Sequence, residues 1–284
     1  MDSAELVEEL ELIKFDFFKI SFHTKLMSML ALHFVLYVWA VFFNWDTIAF
    51  FTVWTIHKIW HLVGNEAGLH RLWSHRSYTT SRWKEFILHL FATPLLYGTS
   101  ITYAGIHRQH HAYSDTEKDP HITRPWWKVA FYVRNKDYEI ESKFVKDLVR
   151  DPMHRWFHKH YFKLNLGLLI LMLLIVGPLW TGKVLSFVVI HSFIGAAVLN
   201  VLGHRPNNPL SSRTFNTPDS SSNNWIVQVL SLNEGLHNHH HHKPSEWSFM
   251  TKKTNLDVGA WIIYLFFMTK EERAKAKFIW TSTN

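Results

Sequence analysis

The sequence predicts an all-α membrane protein: four transmembrane helices in two hairpins, with a cytoplasmic helical cap that carries clustered histidines. Three observations predict it. Four stretches are apolar and about long enough to cross a bilayer core. They pair across two very short polar connections, and the histidine clusters fall in the polar segments between and after the pairs. The length of 284 residues fits one large domain over 1–284. Apolar residues make up 48% of the chain, yet the mean hydropathy is −0.06, so apolar segments must be joined to a sizeable polar part.

The first span is expected over 26–43 and the second over 48–63. Only Asn44, Trp45, Asp46 and Thr47 separate them, which makes a hairpin. The third is expected over 164–180 and the fourth over 184–202, with Thr181, Gly182 and Lys183 as the second turn. Two hairpins leave 66–160 and 205–284 on one side as the cap. The short turns hold one basic residue, Lys183, whereas 66–160 holds Arg71, Arg76, Arg82, Lys84, Arg108, Lys128, Arg150, Arg155 and Lys159. The positive-inside rule therefore puts the cap in the cytoplasm. Asp2, Glu5, Glu8, Glu9, Glu11 and Asp16 argue against a secretory signal. Glu5 to Phe18 is expected as an amphipathic helix. Ile87–Tyr97 and Leu256–Met268 are apolar but short, as in helices lying at a membrane surface. His154, His158 and His160 lie in a basic-aromatic approach to the third span and are expected at the interface.

Ionisable groups at membrane depth face a cavity or a partner. His57, Lys58 and His61 sit inside the second span, and His57 and His61 share one helix face. One of them is a candidate to line an internal tunnel. A polar contact with another span is the alternative.

Cysteine is absent, which excludes disulfides, cysteine-ligated clusters and a catalytic thiol. A formal net charge of +7 suits an anionic membrane surface or an acidic protein partner. No compact Lys/Arg run or known motif points to nucleic acid. Histidine is the outlier, with 21 copies. Three clusters stand out: His70 with His75; His107, His110 and His111; and His237, His240 and His241. The last two share the spacing H-x-x-H-H, which projects three imidazoles from one helix face. Chance at this histidine content gives roughly 0.1 such pattern per chain. The spacing of five between His70 and His75 does not fit one face of a regular helix and suits a helix end. Asn200 and His204 lie four apart at the end of the fourth span. Nine imidazoles exceed what one ion can take and suggest two. A set without cysteine suits iron, zinc or copper; zinc sites close with about four ligands, so the number points to redox-active iron.

At these residues the sequence resembles the integral-membrane fatty-acyl desaturases of the Δ9 type. Asn65–Tyr78 is similar to their first histidine box, His107–His121 with its trailing Asp-Pro-His to the second, and Asn233–His241 to the third. Asn200-x-x-Gly-His204 resembles an additional ligand region. The resemblance covers roughly 25–250. It implies O2-dependent desaturation of a long saturated acyl chain at Δ9. It also implies two iron ions held by His70, His75, His107, His110, His111, His204, His237, His240 and His241, with Asn200 acting through a water. Ligating histidines give their other N–H to a carboxylate or carbonyl, and Glu66, Asp115, Asp119 and Glu234 are the candidates. His121 reads as structural.

Two departures from the family pattern bear on this. Asn233 stands where the family often has Gly, so the turn there is expected to differ. Ala104, Gly105 and Ile106 lack the charged pair of animal CoA-dependent members, which favours an acyl-lipid over an acyl-CoA or acyl-ACP substrate. Electrons are expected from a separate carrier, a ferredoxin, with a cytochrome b5 as the alternative. Membrane hydroxylases carry similar clusters, but the His70-Arg-Leu-Trp-Ser-His75 run favours desaturation. A metal transporter would not account for the Asp-Pro-His tail.

Overall fold

The computed structural model describes residues 21–121, 128, 139–252 and 255–276; the helix expected over Glu5–Phe18 lies outside them. Helices dominate, and the strands described are the short antiparallel pair β1 (Ser211–Ser212) and β2 (Asn223–Asn224). The chain forms two compact units. Met1–Asn65, Phe86–Gly105 and Ile140–Phe193 make the first; Glu66–Glu85, Ile106–Glu139 and Ile194–Asn284 make the second.

The first unit is built on apolar helices. Helix α1 (Phe22–Phe42) starts where the Ser21 hydroxyl accepts from Thr24 N, and α2 (Thr47–His61) where Asp46 accepts from Ala49 N. Both caps satisfy amides that the first helical turn leaves without partners. The connection between them agrees with the expected hairpin. After α3 (Arg82–Ala92), α4 (Ser100–Tyr113) and α5 (Lys146–Arg150), the helix α6 (Pro152–Thr181) begins with Asp151 as its cap and Pro152 in its first turn. Residues 182–186 then wind as a π-helix into α7 (Phe187–Gly203).

The second reversal is not where the sequence placed it. Gly177 adopts φ 75°, ψ 171° and precedes Pro178. Tyr161 lies in one apolar cluster with Val189, Ile190, Leu26 and Leu30. In an unbroken helix Tyr161 and Ile190 would stand about 43 Å apart, so the chain must turn back between them. Thr181, Gly182 and Lys183 are helical. Gly182 serves close packing instead: a Cβ there would come 2.6 Å from the Leu36 carbonyl oxygen of α1. A second cluster, of Val41, Val53 and Phe187, joins α1, α2 and α7.

Helix α1 and the run 152–203 are long and apolar enough to cross a membrane. Only 11% of the most apolar window of that run is buried inside the protein, so it is not the core helix of a soluble fold. Phe34, Val35, Phe42, Phe51, Leu174 and Ile175 are exposed large apolar side chains, a surface suited to lipid rather than water. The second expected span is α2, fifteen α-helical residues that continue without a break as a π-helix.

His154 and His158 correct an expectation. They are buried, not interfacial: their Nδ1 atoms pair with Ser100 Oγ at 2.8 Å and Thr99 Oγ1 at 2.7 Å. They face the hydroxyls at the start of α4. His160 is half-buried and donates to the Trp156 carbonyl on its own helix.

The turn allows a controlled test. Nothing lies within 4 Å of a Cβ added at Gly177 or at Gly195, but only Gly177 has positive φ. Gly177→Ala is expected to cost about 1–3 kcal/mol through backbone strain alone. Gly195→Ala, in a helix interior, should be neutral or stabilising by up to about 1 kcal/mol. Thermal unfolding in detergent reads both, and equal shifts would contradict the placement of the turn.

Candidate metal centre

All nine predicted histidines belong to the second unit. Residues Leu62–Ser74 wind as a π-helix, and His75 N donates to the His70 carbonyl at 3.2 Å. An i→i+5 helix takes more residues per turn than an α-helix, so side chains five apart return to one side. That explains the spacing the sequence left irregular: the rings of His70 and His75 lie 5.1 Å apart. The Arg108 guanidinium donates to the carbonyls of Ser74 (2.8 Å) and Trp73. It thereby satisfies the end of the π-helix and docks it on α4, which carries His107, His110 and His111.

The third cluster rides on the short α9 (His237–His242), which follows α8 (Trp225–Ser231). Asn238, fully buried among the histidines, fixes it. Its Oδ1 accepts from Thr214 N and Phe215 N, and its own N–H donates to Asn223 Oδ1. His204 directly follows α7. A Cβ at the preceding Gly203 would come 2.8 Å from the His237 ring, so only glycine permits that approach. Asn233 is not the special turn residue: Leu232 holds the left-handed conformation, at φ 71°.

The ring nitrogens converge. His70, His75, His107 and His240 form one group and His110, His204 and His241 another; His111 joins His240 and His241 in a third. Nε2 atoms of different rings stand 2.8 Å apart in the pairs His75–His107 and His111–His240. They are 3.1 Å apart in the pairs His70–His240 and His204–His237. Burial, and then neighbouring imidazoles, holds His75, His107, His111, His237, His240 and His241 well below the ordinary histidine pKa, in the neutral form that binds metals.

Carboxylates behind the rings decide the tautomers. His70 Nδ1 donates to Glu66 Oε2 at 3.2 Å, His110 Nδ1 to Asp119 Oδ1 at 2.8 Å, and His241 Nδ1 to Asp219 Oδ2 at 2.8 Å. A carboxylate only accepts, so each of these rings turns an Nε2 lone pair inward. The buried His241 Nε2 has no hydrogen-bond partner. Two nitrogens each about 2.1 Å from one ion, at right angles, lie about 3 Å apart. The residues present thus fit metal ions.

Asp119 is held in turn by the amides of Asp115 and His121, so the Asp-Pro-His tail is a clamp on His110. The His121 ring lies 4.9 Å from that of His110. Asp115 lies 3.7 Å from His204 Nδ1 and accepts from Ser220 N. Its burial opposes ionisation, but these partners hold its pKa below the usual carboxylate range. Burial likewise opposes ionisation of Glu66, and His70 and Arg71 overcome it. Glu234 hydrogen-bonds Glu66, one step behind His70. Asn200 is half-buried on α7, one turn before His204. His239 pairs with Glu246, and His242 stacks on Phe215, so neither joins the convergence. Lys58, His57 and His61 belong to the first unit. There the Lys58 amine lies over Trp54, and the buried His57 ring sits 5.9 Å from both His61 and His191.

Sequence reasoning missed Asp219, Asn238 and the Arg71–Asp257 ion pair. Asp219 stands in a polar loop with no spacing rule to mark it; its other oxygen accepts from Thr217, Ser221 N and Ser221 Oγ.

Residues 60–247 match the family model described as fatty acid desaturase, well over half of the chain. This chain belongs to the fatty acid desaturase family. Its histidine clusters are that family's histidine boxes, and it is an enzyme of lipid metabolism with membrane-associated helices. It is 31% identical over 183 residues to a protein named sn-1 stearoyl-lipid 9-desaturase from Anabaena variabilis, a match covering 63% of this chain and 66% of the relative. To an sn-2 palmitoyl-lipid 9-desaturase of a Nostoc species it is 30% identical over 237 residues, 79% of each chain. To a hex-5-enoyl-[acyl-carrier protein] acetylenase of Moorena producens it is 26% identical over 248 residues, 78% of this chain and 75% of the relative.

Removing a carboxylate behind a ligating ring lowers metal affinity by about 10–100-fold. Asp219→Ala is expected to do so, measured by metal titration of the purified apoprotein. His242→Ala should bind as the unaltered protein does, and a loss matching that of His241→Ala would contradict the assignment.

Proposed function

We propose that this chain desaturates a long saturated fatty acyl chain at Δ9, on an acyl lipid, with two iron ions held by the nine histidines. The single observation that carries the reading is the convergence of their ring nitrogens, with Nε2 atoms 2.8–3.1 Å apart in four pairs, in a family of desaturases. His70, His75, His107 and His240, with His111, would hold one ion; His110, His204, His237 and His241 the other, with Asn200 holding a water. Bound iron supplies the oxidising power to take hydrogen from methylenes that acid–base groups cannot touch. The balance is one saturated chain, O2, two electrons and two protons going to one alkene and two waters. Zinc would not supply electrons, which favours iron among the metals that imidazole suits.

The protein's own part is position. Glu66, Asp119 and Asp219 keep the rings of His70, His110 and His241 in one tautomer, and burial keeps His75, His107, His111, His237, His240 and His241 neutral. Chain-length selection belongs to an apolar tunnel, with His57, Lys58 and His61 as residues lining it. The acyl-lipid substrate is supported by the names of the Anabaena and Nostoc relatives and by Ala104, Gly105 and Ile106, which offer no charge to a CoA thioester. The two units would act as one domain over 1–284. Four spans are supported by the four apolar stretches, and a cytoplasmic site by the basic residues of 66–160. That basic face suits an acidic carrier such as a ferredoxin, with a cytochrome b5 as the alternative donor.

Expression in a bacterial host without desaturases, followed by lipid fatty-acid analysis with double-bond location, tests this. A cis alkene at carbon 9 is expected from the unaltered chain, and none above background from His110→Ala at equal expression. An alcohol in place of the alkene would mean hydroxylation, and unchanged lipids would overturn the reading.

A further inference from the structure

We propose that Asp257 is a positioning residue for the first metal group: by holding the Arg71 guanidinium it leaves Glu66 to orient His70. The inference rests on the metal reading above. Asp257 stands beyond residue 247, where the family match ends, and the sequence marks its segment only as a short apolar helix.

The argument lies in one shared oxygen. Glu66 Oε2 accepts from His70 Nδ1 at 3.2 Å, and the same Oε2 lies 3.6 Å from an Arg71 terminal nitrogen, Nη2. That nitrogen is committed elsewhere, donating to Asp257 Oδ1 at 2.8 Å. Its twin, Nη1, donates to Asp257 Oδ2 at 3.1 Å and to the Trp247 carbonyl at 2.7 Å. Glu66, Arg71 and Asp257 are each 0% exposed. In such surroundings a charge without its partner is strongly unfavourable, and a guanidinium seeks a carboxylate it can grip with two donors.

Without the charge of Asp257, the nearest buried anion to Arg71 is Glu66. Moving from 3.6 Å to about 2.8 Å would complete that ion pair. A carboxylate drawn onto a guanidinium turns from the imidazole and shares its charge, so His70 loses the anchor of its Nδ1–H. Nothing comparable threatens His241, whose anchor Asp219 is held by Thr217 and Ser221.

Asp257 also has a structural task. It caps α10 (Val258–Ile262) by accepting from Ala260 N, and it accepts from Phe249 N. The test must separate charge from capping. Asn caps helices well, as Asn224 does for α8, so Asp257→Asn keeps the cap and drops the charge. Asp257→Glu keeps the charge and misplaces the cap.

The iron-loaded, full-length protein in detergent is challenged anaerobically with a ferrous chelator, and iron release is followed per chain with unfolding temperature alongside. In Asp257→Asn, one of the two irons should leave at least tenfold faster, with the other at the wild-type rate. Glu66→Gln should accelerate the same phase, and the double variant should be no faster than Glu66→Gln alone. Asp219→Ala should accelerate the other phase. Asp257→Glu should release as wild type even if its unfolding temperature falls; if Asp257→Asn does not fold, this variant alone decides. Wild-type release in Asp257→Asn would overturn the proposal. So would equal acceleration of both irons, additive effects in the double variant, or fast release from Asp257→Glu. A wild-type protein that holds no iron would instead overturn the metal reading itself.

Discussion

Imidazole lone pairs repel, and here Nε2 atoms of different rings stand within 2.8–3.1 Å of one another inside buried surroundings. Each such pair needs a proton or a cation between its facing nitrogens, and a metal ion can serve several rings at once. The rest of the second unit answers that constraint. Carboxylates fix protons on the outer nitrogens of His70, His110 and His241. Arg108 and Asn238 stitch the separate histidine-bearing segments to fixed backbone. The glycine before His204 admits the His237 ring. Each is a short-range contact whose loss would let rings drift apart, and a metal site tolerates little drift.

The first unit answers a different constraint. Helix α1 and the run 152–203 expose large apolar side chains, and inside the unit His33 of α1 pairs with Ser186 of another helix at 3.0 Å. Backbone groups at membrane depth must be satisfied internally. The helical run accordingly bends only once, where Gly177 and Pro178 remove the side chain and the donor that would resist the bend.

Much of this was legible in the sequence because it depends on spacing. The H-x-x-H-H pattern specifies one helix face, and both copies lie on helices, Ser100–Tyr113 and His237–His242. The first hairpin was legible because the short connection Asn44–Thr47 leaves no other path. What depended on three-dimensional packing was not. The five-residue spacing of His70 and His75 signalled an irregular helix but not that it is a π-helix. The second turn was misplaced because Gly182 and Gly177 look alike in sequence; one serves close packing and the other a left-handed backbone. His154 and His158 looked interfacial because their neighbours are basic and aromatic, yet they point to the hydroxyls of Ser100 and Thr99. Asp219 and Asp257 carry no local pattern, since their partners lie 22 and 186 residues away in the chain.

The central claim is that nine imidazoles, and nothing softer, hold two irons. X-ray absorption at the iron edge, with metal content measured on the same purified sample, tests it most directly. The account predicts two irons per chain, a first coordination shell of nitrogen and oxygen only, and scattering from outer imidazole atoms. One metal per chain, zinc in place of iron in protein produced with iron in excess, or a shell without imidazole scattering would contradict it.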